Sequence, residues 1–171
     1  MIKAHLISNK ITSNSEEASS LFSNQRFGEK SGEKILYTLS EALFLVESKK
    51  MEIYDFKNKK ISKKALPRKL QKIDKNFKTK YAVFKDLRNR GYIVKTALKF
   101  GADFRVYEKG KKIGKDHAKW ILYPVSENER LTWHDFSAKN RIAHSTKKNL
   151  LIAIVDDEDD VSYYEVSWKK P

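Results

Sequence analysis

The acid–base side chains of this sequence, rather than thiols or metal ligands, are the residues that could perform chemistry. The chain has no cysteine, which excludes disulfide scaffolds, thiolate-bound zinc and a cysteine nucleophile. It contains no G-x-x-x-x-G-K-[ST] phosphate loop, no G-x-G-x-x-G and no H-E-x-x-H motif. Four histidines occur, none at zinc-finger spacing to another ligand: His5, His117, His134 and His144. Tyrosine, histidine, lysine and arginine remain as candidate catalytic residue types.

Cleavage of an RNA phosphodiester needs only these residue types, because the substrate supplies its own nucleophile, the 2′-hydroxyl. A base removes the hydroxyl proton, an acid protonates the departing 5′-oxygen, and a cation balances the charge of the transition state. DNA lacks the hydroxyl and would be inert. Spacing alone puts Arg141, His144 and Lys148 at i, i+3 and i+7 on one predicted helix face. A solvated basic stripe is the alternative interpretation of that face.

A metal-dependent nuclease is disfavoured by the arrangement of the acids. Asp103 stands before a predicted strand, but no acid-x-Lys pair follows on an adjacent strand. A two-metal phosphodiesterase needs several convergent carboxylates. We therefore expect no metal site, and a metal-dependent DNA nuclease remains a lesser alternative.

The charge of the chain predicts a polyanionic partner. Its 171 residues include 36 Lys and Arg against 22 Asp and Glu, a net charge of +14. Eleven of these cations lie within residues 57–80, where Asp74 is the single acid. This stretch is either a solvated linker or helix face, or a surface that contacts phosphates. Residues 156–160, Asp-Asp-Glu-Asp-Asp, are either a solvated hairpin tip or a segment that docks into a basic pocket of a second subunit.

No membrane or secretory segment is predicted. The longest apolar run, residues 150–155, has six residues and cannot span a bilayer. The N-terminus lacks the apolar region of a signal peptide. We expect a soluble cytoplasmic protein with no membrane contact.

The elements that must position the candidate residues follow from periodicity and capping signals. Helices are predicted at residues 16–22, from a Ser40 cap to residue 50, around Pro67, from Phe77 to a stop at Gly91, and at residues 132–147. In the last helix, Trp133 and Phe136 are expected to pack inward. Extended segments are predicted at residues 3–11, 51–56, 92–100, 104–107, 119–125, 150–155 and 161–168, with loops at Gly28–Gly32 and residues 101–103. The predicted class is α/β (α+β), with a small mixed domain at 1–75 that ends in the basic stretch and a second domain at 76–171 built on a central mixed sheet flanked by helices.

Four linked motifs then stand in order in the C-terminal half. They are K-D-L-R-x-R-G-Y from Lys85, K-x-G-A-D-F-x-x-Y from Lys99, an isolated His117, and R-x-A-H-S-x-x-K from Arg141 before an apolar strand. Over about 90 residues these motifs resemble the archaeal tRNA-splicing endonuclease family. The N-terminal half matches more loosely, through ILYTLSEALFLVESKKMEIYD at residues 35–55. The resemblance implies a nuclease-like second domain.

The resemblance also implies an activity and its residues. Such an enzyme cleaves precursor tRNA at exon–intron junctions that form a bulge-helix-bulge, without metal or cofactor. It leaves a 2′,3′-cyclic phosphate and a 5′-hydroxyl. The family's catalytic positions fall on Tyr107 as general base, His117 as general acid and Lys148 as the transition-state cation. A non-catalytic RNA-binding or assembly subunit is the alternative, disfavoured because all three residues are present.

Substrate grip and assembly are further implications of the resemblance. Arg141 resembles one half of a clamp around a flipped bulge base, and Trp168 occupies a place similar to the other half. For Trp168 the alternative is a buried strand residue. The acidic segment sits where a family loop enters a basic cleft of another subunit, at residues Asp156, Asp157, Glu158, Asp159 and Asp160. A homodimer, a homotetramer or a heterotetramer with a structural paralogue is implied.

Overall fold

Two five-stranded mixed sheets, one in each half of the chain, organise the protein. The computed structural model describes residues 1–111 and 114–171. The chain divides into two compact units, Met1–Lys78 and Thr79–Pro171. Both units combine mixed sheets with helices, so the predicted α/β (α+β) class is confirmed. No helix in the described ranges is long and apolar enough to cross a membrane.

The N-terminal unit contains a sheet of strand order β3-β4-β2-β1-β5 and three helices. Its elements are β1 (Ile2–Ile7), β2 (Lys10–Ser13), α1 (Glu16–Gln25), β3 (Glu29–Ser31), β4 (Lys34–Tyr37), α2 (Leu39–Glu47), β5 (Met51–Tyr54) and α3 (Leu66–Ile73). β1 pairs parallel with β5, and the other neighbours pair antiparallel. α2 packs against β5 and α3. Pro67 lies in the first turn of α3, where a backbone N–H would have no hydrogen-bond partner within the helix, so the lack of an N–H in proline costs nothing.

Two predictions for this unit were wrong because turns interrupt the sequence pattern. Residues 3–11 form a hairpin rather than one extended segment, since Ser8 and Asn9 both adopt positive φ. The predicted loop around Gly28 and Gly32 contains β3, and Gly32 makes the tight connection to β4 at φ +61°. Strands of three and four residues are too short for alternation to reveal them.

A buried glutamate fixes the start of α2. Thr38, not the predicted Ser40, is the N-cap, because its hydroxyl accepts a hydrogen bond from the Glu41 N–H. The Glu41 side chain is only 2% exposed. It accepts hydrogen bonds from the backbone N–H groups of Gly28 at 2.9 Å and Thr38 at 3.0 Å, and from the Thr38 hydroxyl at 3.0 Å. The Glu41 carboxylate therefore links Gly28, in the segment that follows α1, to the start of α2.

The C-terminal unit is built on a sheet of strand order β10-β9-β8-β7-β6. Its elements are α4 (Phe77–Asn89, whose first residues lie before the unit boundary), β6 (Ile93–Ala97), a 3₁₀ turn (Leu98–Phe100), β7 (Ala102–Tyr107), β8 (Trp120–Ser126), α5 (Trp133–Ser145), β9 (Asn149–Val155) and β10 (Val161–Val166). β8 and β9 pair parallel and the remaining pairs are antiparallel. The predicted central mixed sheet flanked by helices is therefore confirmed.

α4 and α5 cover opposite faces of this sheet. Phe104 of β7 packs its ring 6.1 Å from that of Phe84 in α4. Ile121 and Leu150, by contrast, form a buried cluster with Ala143 of α5. Arg105, the next residue in β7, is the cross-strand partner of Ile121 and therefore belongs to the α5 face.

Several predicted boundaries in this unit differ from the structure. β7 begins at Ala102, within the predicted 101–103 turn, and β10 ends at Val166 rather than at residue 168. Phe136 packs against the cluster around Ala143, but Trp133 is 83% exposed, contrary to the prediction. Trp133 is the first residue of α5, and its ring is nearly perpendicular to the Phe136 ring, with 5.8 Å between the ring centroids.

Replacement of the buried carboxylate tests its role at α2. In Glu41→Gln, one oxygen becomes an NH₂ group that faces N–H donors, so at least one buried donor loses its acceptor. We expect the free energy of unfolding to fall by about 1–3 kcal/mol, measured by urea denaturation. Glu33→Gln, the same change at an exposed turn position, is the matched control and should fall by less than about 0.5 kcal/mol. Equal effects in both variants would contradict the assignment.

Two tyrosines, the buried Tyr37 and the half-buried Tyr163, should respond oppositely to loss of their hydroxyls. Tyr163 donates to Asp86 at 2.7 Å, and burial together with this bond raises the pKa of Tyr163. Burial, with the nearby Glu41 charge, also raises the pKa of Tyr37, whose buried hydroxyl has no hydrogen-bond partner in the described part of the chain. Tyr163→Phe should therefore cost about 1–2 kcal/mol of unfolding free energy, whereas Tyr37→Phe should be neutral or stabilising by up to about 1 kcal/mol. Destabilisation by both changes would refute the contrast.

Candidate active site

One edge of the C-terminal sheet collects the ends of four strands. The cross-strand partners there are Val106 with Trp120, Trp120 with Asn149, and Leu150 with Val166. Antiparallel β7 and β10 therefore end where parallel β8 and β9 begin. This edge is the region to which the sequence-predicted catalytic residues belong.

Backbone and side-chain hydrogen bonds hold this edge together. The Lys119 N–H donates to the Val106 carbonyl, and the Lys119 carbonyl accepts from the Asn149 N–H, both at 3.0 Å. On the outer side, Glu165 of β10 accepts hydrogen bonds from the Trp120 indole at 2.8 Å and from the Asn149 amide at 2.5 Å. These bonds, that of Trp120 above all, hold the pKa of Glu165 below its usual range. One carboxylate thus connects three strands at the edge.

The position of Lys148 follows from how α5 ends. Thr146 is the C-cap, and Lys147 adopts a left-handed conformation at φ +55°. The N–H of Lys147 donates to the His144 carbonyl and that of Lys148 to the Ala143 carbonyl, which together form a Schellman motif. Lys148 therefore lies outside the helix, directly before β9. The prediction of a helical face shared by Arg141, His144 and Lys148 was wrong for Lys148, because the helix stops three residues earlier.

The Lys148 ammonium lies in a desolvated and positive environment. The side chain is half-buried, and its Nζ donates to the Thr146 carbonyl at 3.0 Å. Burial, and to a lesser degree the nearby Arg105 guanidinium, lower the pKa of Lys148. Two cations are therefore close together here, and a bound anion would stabilise both. The arrangement suits a phosphate oxygen.

Tyr107 and His117 lie at the same edge as Lys148. Tyr107 is the last residue of β7 and is buried. Strand alternation puts it and Arg105 on the α5 face, the side on which Lys148 follows the helix. His117 is exposed and stands two residues before the Lys119 backbone that joins β7 to Asn149. The structure thus brings the three predicted residue types to one edge: a tyrosine, a histidine and a lysine.

A small pocket opens beside Lys148. Its volume is about 150 Å³, and its lining includes Asn140, His144, Lys147, Lys148, Val166 and Trp168. Trp168 follows β10 and is 59% exposed, so the alternative of a buried strand residue is excluded. Its ring lies 4.7 Å from the His144 ring, with the planes inclined by 42°.

The aromatic neighbour of Trp168 is a residue to which sequence reasoning gave no role. His144, within the A-H-S motif, contacts the indole, whereas Arg141 is exposed on α5 and is not part of the described pocket lining. The i+3 spacing from Arg141 did draw attention to His144, but no pattern in the sequence connects it to the C-terminus.

The acidic segment is the turn between β9 and β10. Asp156 uses its carboxylate internally, because its Oδ1 accepts from the N–H groups of Glu158 and Asp160, both at 2.9 Å. Glu127 accepts from the Asp157 N–H at 3.1 Å and holds the turn against the preceding loop. Four acidic side chains are exposed on this ordered turn: Asp157, Glu158, Asp159 and Asp160.

The acids of the unit do not converge. Asp103, the carboxylate considered for a metal nuclease, forms an ion pair with Lys80 at 3.1 Å. Across residues 1–111 and 114–171, no group of three or more His, Asp and Glu side chains is arranged to hold a metal ion.

Comparison with known proteins matches both halves of the chain to one family. The model described as tRNA intron endonuclease, catalytic C-terminal domain, matches residues 77–163. The model described as tRNA intron endonuclease, N-terminal domain, matches residues 2–66.

Relatives from archaea match over most of their length and are named tRNA-splicing endonuclease. The Nanoarchaeum equitans protein is 46% identical over 139 residues, which cover 78% of this chain and 88% of the relative. The Pyrococcus horikoshii protein is 40% identical over 170 residues, 99% of this chain and 97% of the relative. The Thermococcus kodakarensis protein is 40% identical over 171 residues, 99% of both chains.

Proposed function

The chain belongs to the tRNA intron endonuclease family, and we propose that it is a catalytic subunit that cleaves precursor tRNA at exon–intron junctions. The junctions would form a bulge-helix-bulge, and the products would carry a 2′,3′-cyclic phosphate and a 5′-hydroxyl. The observation that carries this proposal is the meeting of Tyr107, His117 and Lys148 at one edge of the C-terminal sheet. Such a substrate implies action in the cytoplasm.

Each of the three residues has a distinct part in the proposed reaction. The 2′-oxygen bonds to phosphorus as its proton passes to the phenolate form of Tyr107, and the bond from phosphorus to the 5′-oxygen breaks as the imidazolium form of His117 gives that oxygen a proton. Lys148 stabilises the additional negative charge on the phosphoryl oxygens. Its contact with the Thr146 carbonyl uses one N–H, so two remain for the phosphate. The reaction requires neither a metal nor a cofactor.

The environment of Lys148 supports a charge-stabilising role. A half-buried ammonium beside Arg105 interacts with an anion more strongly than a fully solvated one, because the local dielectric is lower. The Lys148 ammonium is held at the strand edge by its hydrogen bond to the Thr146 carbonyl, and among the described residues no acidic side chain forms an ion pair with it. Its charge is thus available to substrate.

A non-catalytic RNA-binding or assembly subunit of the same complex is the second candidate. It would need neither a tyrosine nor a histidine beside the lysine. The presence of all three residue types at one edge favours the catalytic subunit.

The pocket beside Lys148 supports a base-binding role for Trp168. An exposed indole in contact with the His144 ring offers a flat surface next to the proposed cleavage site. An unstacked bulge base could stack on it. Arg141, exposed on the same helix as His144, would close on the base or its phosphate from the solvent side.

The acidic turn and the adjacent strand support self-association. β10 is an edge strand, and Tyr164 on it is 57% exposed. An unpaired strand edge is a ready surface for another chain. We propose that β10 pairs with a second subunit and that the acidic turn, residues 156–160, enters a basic cleft of another. The assembly would be a homodimer, a homotetramer or a heterotetramer with a structural paralogue.

Substitution of the proposed acid should abolish cleavage without unfolding the protein. His117→Ala removes the proton donor, and we expect cleavage of a bulge-helix-bulge RNA to slow at least about 100-fold. His134→Ala removes another exposed histidine, from α5, and should change the rate less than about 3-fold. Single-turnover rates in excess EDTA provide the measurement. Cleavage that stops in EDTA and returns with Mg²⁺ would instead identify a metal enzyme.

Replacement of the substrate 2′-hydroxyls that flank the cuts by hydrogen should stop the reaction, because no nucleophile remains. Product analysis should find cyclic phosphate and 5′-hydroxyl ends on the unmodified RNA. Continued cleavage of the deoxy substrate would contradict the mechanism.

Loss of the indole should weaken cleavage far more than folding. Trp168→Ala removes a stacking surface worth about 1–3 kcal/mol per base, so we expect kcat/KM to fall about 5- to 150-fold. Because the side chain is exposed and follows β10, the unfolding free energy should change by less than about 0.5 kcal/mol. Trp133→Ala, which removes another exposed indole, is the control for general aromatic loss. Equal losses of rate in both variants would refute the base-binding role.

A further inference from the structure

The net positive charge of the N-terminal unit comes entirely from its last segment. Residues 1–56 contain seven Lys and Arg against eight Asp and Glu, whereas residues 57–78 contain ten against one. All ten cationic side chains of that segment are exposed. The catalytic edge, which belongs to the C-terminal unit, uses none of them. We call their exposed face the α3 surface, formed by Lys57, Lys59, Lys60, Lys63, Lys64, Arg68, Lys69, Lys72, Lys75 and Lys78.

The fold brings cations from the β5–α3 loop and from α3 together. α3 buries Leu66 and Leu70, which leaves its basic residues on the opposite side. The pKa of Asp55 is held low mainly by the hydrogen bond from the Lys59 N–H, and the charges of Lys69 on the helix and Lys59 on the loop also lower it. The loop and the helix therefore contribute charge to one continuous surface rather than to two separate ones.

The acids near this surface are already engaged in local structure. Asp55 Oδ1 accepts hydrogen bonds from the N–H groups of Lys57 at 2.8 Å and Lys59 at 2.9 Å, and these bonds are the main reason that the pKa of Asp55 is lowered. Glu52 pairs with Lys60 and accepts from the Tyr54 hydroxyl. The positive potential of the α3 surface is thus only partly compensated from within the unit.

An aromatic ring stands out from the same surface on an ordered turn. The Asp55 N–H donates to the Lys59 carbonyl and the Asn58 N–H to the Asp55 carbonyl, at 2.9 and 3.0 Å. Asn58 adopts φ +57° to close the turn. Phe56 projects from it and is 73% exposed, with the Lys57 Nζ 5.5 Å from the ring centroid. Cations beside an exposed aromatic ring are the combination that binds unpaired nucleotides, through phosphates and base stacking.

We propose that the α3 surface is a second RNA-binding site, which holds the precursor tRNA through its backbone outside the cleaved junction. The ligand identity rests on the proposed function. The cations contact phosphates without regard to sequence, and Phe56 stacks on an unpaired base. A ligand with charge repeated along its length suits ten cations spread over a turn, a helix and the segment after it better than a compact acidic turn of a protein does.

Binding of an uncleavable substrate separates this proposal from the catalytic one. The probes are full precursor tRNA and a minimal bulge-helix-bulge RNA, each with 2′-deoxy substitution at the cut sites. The variant carries Lys63→Gln, Lys64→Gln, Arg68→Gln and Lys69→Gln. The matched control carries Lys10→Gln, Lys30→Gln, Lys34→Gln and Lys50→Gln, four exposed lysines of the same unit. Both lose four charges, and the dissociation constants are measured from 0.05 to about 0.3 M KCl.

We expect the α3 variant to bind precursor tRNA at least about 10-fold more weakly than the control at 0.1 M KCl. Each lost phosphate contact should reduce the log–log salt slope by about 0.7–0.9, so the slope should fall by about two to four. Binding of the minimal RNA should change less than about 3-fold. Phe56→Ala should weaken binding of the precursor about 5-fold or more with the salt slope unchanged.

Three outcomes would overturn the proposal. Equal weakening by both four-site variants would mean that net charge alone attracts RNA. If the α3 variant bound both RNA probes equally weakly, the α3 surface would contact the bulge-helix-bulge junction itself. Unchanged RNA binding with a lower native mass of the variant would make the surface a protein interface. Because the probes are not cleaved, failure of His117→Ala to affect cleavage would reject the proposed function without altering these binding results.

Discussion

The parallel pairing of β8 with β9 is the constraint on which the candidate site depends. Parallel neighbours cannot be joined by a tight turn, so the chain must cross from the end of one strand to the start of the next, and α5 makes that crossing. Both strands consequently begin at the same edge. The segments that precede them, which carry His117 and Lys148, therefore reach the same edge although the two residues are 31 positions apart in the sequence. Antiparallel β7 then ends at this edge and contributes Tyr107.

The same constraint makes the end of α5 as important as its length. The helix must stop so that the chain enters β9 in register, with Trp120 opposite Asn149. The Schellman motif ends the helix and places Lys148 directly before β9, with its Nζ hydrogen-bonded to the Thr146 carbonyl. Glu165 holds the outer strand to the two parallel ones. Fold and site are therefore determined by one set of backbone and edge contacts.

Local signals in the sequence predicted most of the helices and strands. Contacts between residues far apart in the sequence were not predicted. The start of the helix predicted from residue 132 and the stop near Gly91 depend on neighbouring residues alone, and both agree with the structure. The capping residue of α2 was misassigned to Ser40, although Thr38 has the S/T-x-x-E spacing of a capping box with Glu41, and the Glu41 hydrogen bonds identify Thr38. The exposure of Trp133 depends on where the core ends. The contact between His144 and Trp168 depends on the path of the chain after β10. The assignment of Tyr107, His117 and Lys148 came from family motifs, since residue types and spacing did not select them.

The left-handed residue at the end of α5 has a consequence for the charge of the site. Lys147 occupies the position that glycine fills most easily, since a side chain at positive φ costs about 1 kcal/mol or more. A glycine there would close the same motif with less strain. The lysine instead brings a second ammonium to the pocket wall beside Lys148. Lys147 thus makes the end of α5 less stable than glycine would, but it adds positive charge where the phosphate backbone of a bound RNA would lie.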